Sequence, residues 1–323
     1  MGTLLIRRLA AAILLLLVLT LTFFLIHLFP GDPAIMLAGE RGTAESLRRL
    51  RHVYGLDRPL AVQYLLWLKA VVLSWDWGSS ISQGRPVVRV VGQALGPTLI
   101  LTGAALGVQY LVGVPLGVAA ARRRGGALDA GLRIGSLLFY SMPLFWLGLM
   151  AILLFSFTWP ILPASHIHSV ASETLGAWAS FLDLLRHLVL PALVLGLASA
   201  GATVRFVRNR MIEALEGDYV RTARAKGLTE RRVVWVHALR NALVPVIQLL
   251  GISLPFLLNG SLVLEVVFSW PGLGRTAYQA ILARDYPVIL AVTALTAALV
   301  VAGNFLADVL HAAADPRVRD ARG

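Results

Sequence analysis

Six times along this chain roughly 20 residues pass with little or no charge, the length a helix needs to cross about 30 Å of hydrocarbon. These runs occupy residues 9–29, 98–121, 134–157, 187–204, 243–267 and 288–307, and the fourth is the shortest. Backbone amides inside lipid have no water to bond, so each run has to be a helix.

Composition agrees with that reading. Hydrophobic residues make up 58% of the chain and charged ones 14%, with a mean hydropathy of +0.76. This is far more apolar than a soluble domain. The expected fold class is therefore an all-α integral membrane protein with about six transmembrane helices. The net charge of +12 gathers in the connections between apolar runs rather than on a groove-reading helix, so nucleic acid is excluded as a partner. The absence of cysteine removes disulfides and thiolate metal sites.

Arg7 and Arg8 precede the first run, but that run exceeds the apolar core of a secretory signal, and the following Pro30-Gly31-Asp32-Pro33 lacks a small-residue cleavage site. It reads as an anchor. With the N-terminus inside, the cytoplasmic segments collect Arg7 and Arg8, then Arg122, Arg123 and Arg124, then nine Lys and Arg residues in 205–240, then Arg317, Arg319 and Arg322. The segment 30–97 also carries basic residues, but outer loops of that length cross largely regardless of charge. Both termini are expected in the cytoplasm.

That outer segment has its own helical signals. Thr43 can cap a helix bearing Leu47, Leu50 and Tyr54, with Gly55 placed to stop it, and 63–73 forms a second apolar piece. Trp67, Trp75 and Trp77 suit headgroup depth. The pieces either pack on neighbouring spans or meet an external partner.

Within the spans, Gly103, Gly107, Gly113 and Gly117 fall on one helix at spacings that permit close approach of a neighbour. Pro115, Pro143, Pro191 and Pro255 each remove a backbone donor and favour kinks. The candidate path-lining residues are Gln109, Tyr110, Ser141, Gln248, Ser253, Asn259 and Asn304, all uncharged. The alternative role for each is hydrogen bonding between helices. Glu265 and Asp308 lie near span ends, and mid-span positions hold no ionisable residue of the kind an ion-coupled carrier uses. An autonomous carrier or channel is the disfavoured alternative.

Nor does the chain carry a phosphate-cradling loop. That loop needs lysine after glycine, whereas Lys69 follows Leu68 and Lys226 follows Ala225. His166 and His168 form a pair without a nearby sequence partner to complete a metal set, and isolated serines lack a nucleophile elbow. No catalytic residue, cofactor or metal site is expected.

The basic connection is the most distinctive segment. Asp218 can cap a short helix, Arg224 and Lys226 suit its C-terminal dipole, Gly227 can adopt the left-handed stop, and Thr229 starts the next helix. So short a helix is marginal alone. It gains stability by docking, with Tyr219 and Ala223 on one side, into a partner's groove. The alternative is a surface helix held by anionic lipid headgroups.

Several strings in order resemble the permeases of binding-protein-dependent ABC importers, in the dipeptide and oligopeptide branch that includes nickel and glutathione importers. They are LFPGDPA at 28–34, YGLDRPLAVQYLLWL at 54–68, SMPLFWLGL at 141–149, HLVLPALVLGLA at 187–198, DYVRTARAKGL at 218–228, HALRNALVP at 237–245 and FSWPGLGRTAYQAILARDYP at 268–287. The resemblance implies a type I ABC importer permease fold in a bacterial inner membrane. It also implies a coupling helix at Asp218, Tyr219, Arg221, Thr222, Ala223, Arg224, Ala225, Lys226, Gly227 and Leu228 that enters a cleft of a cytoplasmic ATPase. The wider Glu-Ala-Ala-x-x-x-Gly pattern is kept only at Ala223 and Gly227, since Arg221 and Thr222 stand at its first two places. The implied partners are a second homologous permease, two ATPase subunits, an external solute-binding protein and membrane lipid. The segment 268–287 is implied to form a re-entrant or gate-like outer loop. The expected organisation is an anchor with its outer segment at 1–94, a permease core at 95–312 with a cytoplasmic coupling loop at 205–240, and a tail at 313–323.

Overall fold

The structure is a computed structural model and describes residues 2–28, 34–35, 43–53, 55–170, 174 and 176–314. Among them regular structure is helical, apart from an isolated antiparallel bridge between Ser79 and Pro86. The helices are α1 (Gly2–Leu28), α2 (Ala44–Val53), α3 (Leu60–Ser74), α4 (Val87–Arg122), α5 (Ala127–Ser141), α6 (Leu144–Ile152), α7 (Ala177–Glu216), α8 (Asp218–Ala225), α9 (Glu230–Arg232), α10 (Leu239–Val267), α11 (Leu273–Leu282) and α12 (Tyr286–Ala314). A π-helical turn, Leu153–Thr158, extends α6, and a second, Val233–Ala238, joins α9 to α10.

The described residues of the six apolar runs are helical, except at Met142 and Pro143 in the third. Helices α4 and α7 and the Tyr286–Leu306 part of α12 are each long and apolar enough to cross a membrane. The third run differs from expectation, because it is two helices bent by 98° rather than one. Met142, held extended before Pro143 (φ −78°, ψ 136°), supplies the break, since a residue before proline is driven out of the helical region. The other prolines, Pro115, Pro191 and Pro255, stay inside continuous helices. The fourth run, shortest in sequence, belongs to α7, which at 40 residues continues well past its apolar window.

The chain forms two compact units. The first comprises residues 1–97 and 271–301. Its helix α2 starts as expected, with Thr43 Oγ1 accepting the Ser46 N–H at 3.2 Å, and Gly55 turns left-handed after it. Tyr54 lies outside the described residues. Helix α3 packs on α1 through Phe23 and Trp67, ring centroids 5.5 Å apart, and a 2.7 Å hydrogen bond between Thr20 and Tyr64. For Trp67 the neighbouring-span reading holds, while Trp75 is exposed. Val87, Val90, Val91 and Ala94 form a core with Leu273, Ala280, Val288 and Ala291. Asp285, fully buried, accepts hydrogen bonds from Ser80 Oγ (2.5 Å), Ser82 N (3.0 Å) and Ser82 Oγ (2.8 Å), which fastens the loop of the Ser79–Pro86 bridge to the start of α12.

The second unit comprises residues 98–270 and 302–323. Here α4 and α7 run parallel in close contact. A Cβ on Gly196 would lie 2.6 Å from Val108 Cβ, one on Gly113 2.7 Å from Thr203 Cβ, and one on Gly117 2.7 Å from Val207 Cβ. Gly113 and Gly117 therefore serve the close approach expected of them. Gly103 and Gly107 do not, since each faces open space. One core joins Leu101 and Ala105 to Leu190, Leu195, Leu257, Leu264, Phe268 and Trp270, and a second core lies beneath the basic connection.

Candidate functional site

Helix α8 is short, basic and amphipathic, and its two faces have different employment. Val220 and Ala223, one turn apart, are buried in a core with Val118 and Ala121 of α4, Val207, Met211 and Ala214 of α7, Val233, Val234 and Ala238 of the π turn, and Leu239 and Ala242 of α10. Burying Val220 contributes about 1.5–3 kcal/mol, enough to seat a helix too short to persist alone. Asp218, Tyr219, Arg221, Thr222, Arg224, Ala225, Lys226 and Gly227 are exposed, and Leu228 is half-buried.

Two expectations for this segment need correction. Tyr219 and Ala223 do not share a partner-facing side, because the i, i+3 register that seats Val220 turns Ala223 inward with it. The N-cap is Gly217 (φ −69°, ψ 149°), which makes Asp218 the first helical residue, without a side-chain cap bond. Asp218 still places negative charge in the first turn, where the helix dipole favours it. A Cβ on Gly217 would lie 2.6 Å from Tyr219 Cε1, so the tyrosine ring rests against the glycine backbone. Gly227 does provide the left-handed stop (φ 75°), with Leu228 N–H donating to Ala223 O at 3.3 Å, and Thr229 begins α9.

Around that stop Arg224 reaches Glu230. Its Nε and Nη2 donate to the two carboxylate oxygens at 3.1 and 2.8 Å. The guanidinium holds the Glu230 carboxyl below its usual value, and the carboxylate raises Arg224 in turn. Arg221 pairs with Asp218 at 3.3 Å, while Lys226 makes no ion pair among the described residues. Arg124 meets Glu216 at 2.7 Å, just before the Gly217 turn.

An ion pair on a buried acid ties α5 to α7. Asp129, in the first turn of α5, accepts from Arg208 Nε at 2.6 Å and Nη2 at 2.7 Å, and from the Gly125 N–H at 3.0 Å. Neither Asp129 nor Arg208 stood out in the sequence. The available signal was a lone acid among Arg122, Arg123, Arg124 and Arg133.

The candidate path residues separate into two groups. Gln109, Tyr110 and Ser253 meet in one node linking α4, α7 and α10: Gln109 Nε2 donates to Thr203 Oγ1 at 2.9 Å and Ser253 Oγ at 3.0 Å, with Tyr110 Oη 3.3 Å from Ser253. Ser141, Asn259 and Asn304 are exposed, and Ser141 Oγ donates to Leu137 O. The side chains of Gln248 and Asp308 lie outside the described residues, as do those of Arg7 and Arg8, and so do Arg317, Arg319 and Arg322. Glu265 is buried and accepts from Thr98 Oγ1 at 2.7 Å. Of the two paired histidines, His168 Nδ1 lies 3.2 Å from Asp183, a carboxylate that the sequence spacing did not reveal, and His166 pairs with Ser165. No group of three or more His, Cys, Asp or Glu side chains able to hold a metal ion occurs among the described residues.

Residues 113–320 match the family model described as binding-protein-dependent transport system inner membrane component, and residues 1–94 match the N-terminal model of the same systems. The chain is 38% identical over 320 residues to the oligopeptide transport system permease protein AppB of Bacillus subtilis strain 168, covering 98% of this chain and 99% of the relative. It is 39% identical over 316 residues to the dipeptide transport system permease protein DppB of Escherichia coli K12, covering 93% of each. Among solved structures, a chain of the MetNI methionine ABC transporter, in an inward-facing crystal form, matches with a TM-score of 0.56 at 20% identity, over 71% of this chain and 97% of that one. That likeness supports the type I importer permease fold. The chain is a multi-pass membrane protein and belongs to the family of binding-protein-dependent transport system inner membrane components.

Proposed function

We propose that the chain is a permease subunit of an ATP-driven importer of di- and oligopeptides and forms half of the path together with a second permease of similar fold. Two cytoplasmic ATPases supply the energy, and an external solute-binding protein delivers the cargo. The names of the relatives in Bacillus subtilis and Escherichia coli support peptides over nickel or glutathione.

The observation that carries this reading is α8. Its inward face is seated in the chain's own core, and its outward face offers Tyr219 with Arg221 and Lys226. A rigid, cationic helix of this kind suits an acid-lined groove in an ATPase. Closure of the ATPases on ATP would move α8 together with the core beneath it, a rigid-body transition of the spans. Both termini then face the cytoplasm, with 30–97 outside. Ser141, Asn259 and Asn304 are the better candidates for the path, while Gln109, Tyr110 and Ser253 hold the helices together.

The test is substitution on the outward face in the assembled transporter. Tyr219→Ala with Arg224→Glu should leave the protein inserted and abolish ATP-dependent peptide uptake. Normal uptake by the double variant would refute the assignment of α8.

A further inference from the structure

Two contacts set the register of α4 against α10. Thr98 Oγ1 donates to Glu265 Oε1 at 2.7 Å and Gln109 Nε2 to Ser253 Oγ at 3.0 Å, so the two helices run antiparallel. Along this seam buried polar groups are left unmatched. Gln109 is 4% exposed, and its amide spends Nε2 on both Thr203 Oγ1 and Ser253 Oγ, while the buried Oε1 meets no donor among the described residues. Turning the amide about exchanges its two halves and still leaves one of them without a partner. Thr102 Oγ1, one turn along α4 from Thr98, is likewise buried and meets no partner among the described residues. The matching turn on α10 leads from Glu265 to Ser261, whose buried hydroxyl is spent on the Leu258 carbonyl of its own helix at 2.9 Å. Buried polar groups are satisfied almost without exception, and neither orphan atom is open to water.

The helices on either side of this seam differ in freedom. Helices α4 and α7 touch through Gly113, Gly117 and Gly196, where any Cβ would collide with the neighbour, and packing this close makes them move as one body. Helix α10 is looser at the node, because Pro255, two residues beyond Ser253, lacks the N–H that would close a rung of the helix there. A serine hydroxyl both donates and accepts, so Ser253 can serve either half of the Gln109 amide.

We propose that the α4–α10 seam is a two-position latch and that the structure holds one of its positions. In the other, α10 shifts against the α4–α7 pair. The Ser253 hydroxyl leaves Gln109 Nε2 and donates to Oε1, while Ser261 leaves the Leu258 carbonyl and meets Thr102. Thr203 keeps Gln109 Nε2 in both positions. The inference rests on the ATP-driven rigid-body transition proposed above and names a seam with two discrete arrangements through which it passes. The unmatched groups make the present position less stable than an apolar seam of the same shape, which keeps the two positions close in energy.

The experiment places Gln109→Met in the complete transporter. Methionine has nearly the length of glutamine and no polar end, and the hydroxyls it abandons can bond to carbonyls of their own helices, as Ser199 Oγ does to Leu195 O at 2.9 Å. The variant should melt, without nucleotide, no lower than the unaltered transporter, yet take up dipeptide about tenfold more slowly at saturating cargo. Ser253→Ala, which removes the migrating hydroxyl at the loss of a single oxygen, should slow uptake to a similar degree and repeats the test independently. Gel filtration confirms that each variant assembles. A Gln109→Met protein that melts several degrees lower would show the node to be a fastening alone and would overturn the proposal, as would full uptake by either variant. Uptake by the unaltered transporter separates the two ideas. Its absence removes the function proposed above, whereas a full rate in all three proteins removes only the latch.

Discussion

Arg224 and Glu230 face each other across the Gly227 turn in a two-point ion pair, 3.1 and 2.8 Å long, that ties the end of α8 to the start of α9. Both side chains are about half exposed, so the pair contributes only about 0.2–1 kcal/mol to stability. Its value is geometric, because it braces the Gly227 turn between α8 and α9. Glu230→Gln should leave thermal stability nearly unchanged yet loosen the turn, which would be seen as faster amide hydrogen exchange at Gly227 and Leu228. Because Arg224 lowers the Glu230 pKa, the pair's contribution is complete above the ordinary glutamate range and fades as pH falls through the lowered value. The protection of these amides should therefore be constant between about pH 6 and pH 8 and should fall only below about pH 4, the usual glutamate range.

The seat of α8 makes the second prediction. Ala223→Leu would force a larger side chain into the packed core around Val220 and Met211, at about 1–3 kcal/mol. Uptake should fall and ATP hydrolysis should lose its dependence on cargo, while the complex still forms. A fully coupled Ala223→Leu transporter would show that the helix is not held from within.

Close approach of α4 to α7 depends on particular glycines. Gly117→Ala brings a Cβ to 2.9 Å from the Val204 carbonyl oxygen, backbone that cannot swing aside, and should lower the melting temperature of the detergent-solubilised protein. Gly107→Ala meets open space and should be neutral or slightly stabilising, since alanine is the better helix former by about 1 kcal/mol.

Asp129→Asn should be costly. It leaves the Arg208 guanidinium without its counter-charge, and breaking a buried pair from one side typically costs about 3–5 kcal/mol, an upper bound here because Arg208 is partly exposed. Replacing both partners, as in Asp129→Leu with Arg208→Met, should recover much of that loss. Yield and melting temperature of the two variants provide the comparison.

What the sequence revealed was local in origin. The Thr43 cap, the Gly55 and Gly227 stops and the break at Pro143 follow from one residue's own backbone preferences, and the apolar runs follow from the solvent around them. The pairings were hidden because they join distant residues: Asp129 with Arg208, Gln109 with Ser253, Asp285 with Ser80. The same limit explains Ala223. Its type and position suited a partner contact, and only the placement of Val118, Met211 and Val233 around it turns it inward. Gln109, Tyr110 and Ser253 are legible as polar residues within spans, but which of the two expected roles each takes depends on the neighbour that α4 meets.

The most direct measurement of the central claim is accumulation of labelled dipeptide in proteoliposomes containing this chain alone or with its second permease, both ATPases and the solute-binding protein. The account predicts uphill accumulation only in the full assembly supplied with ATP, and none by the isolated chain under any ion gradient. Concentrative uptake by the chain alone would contradict it.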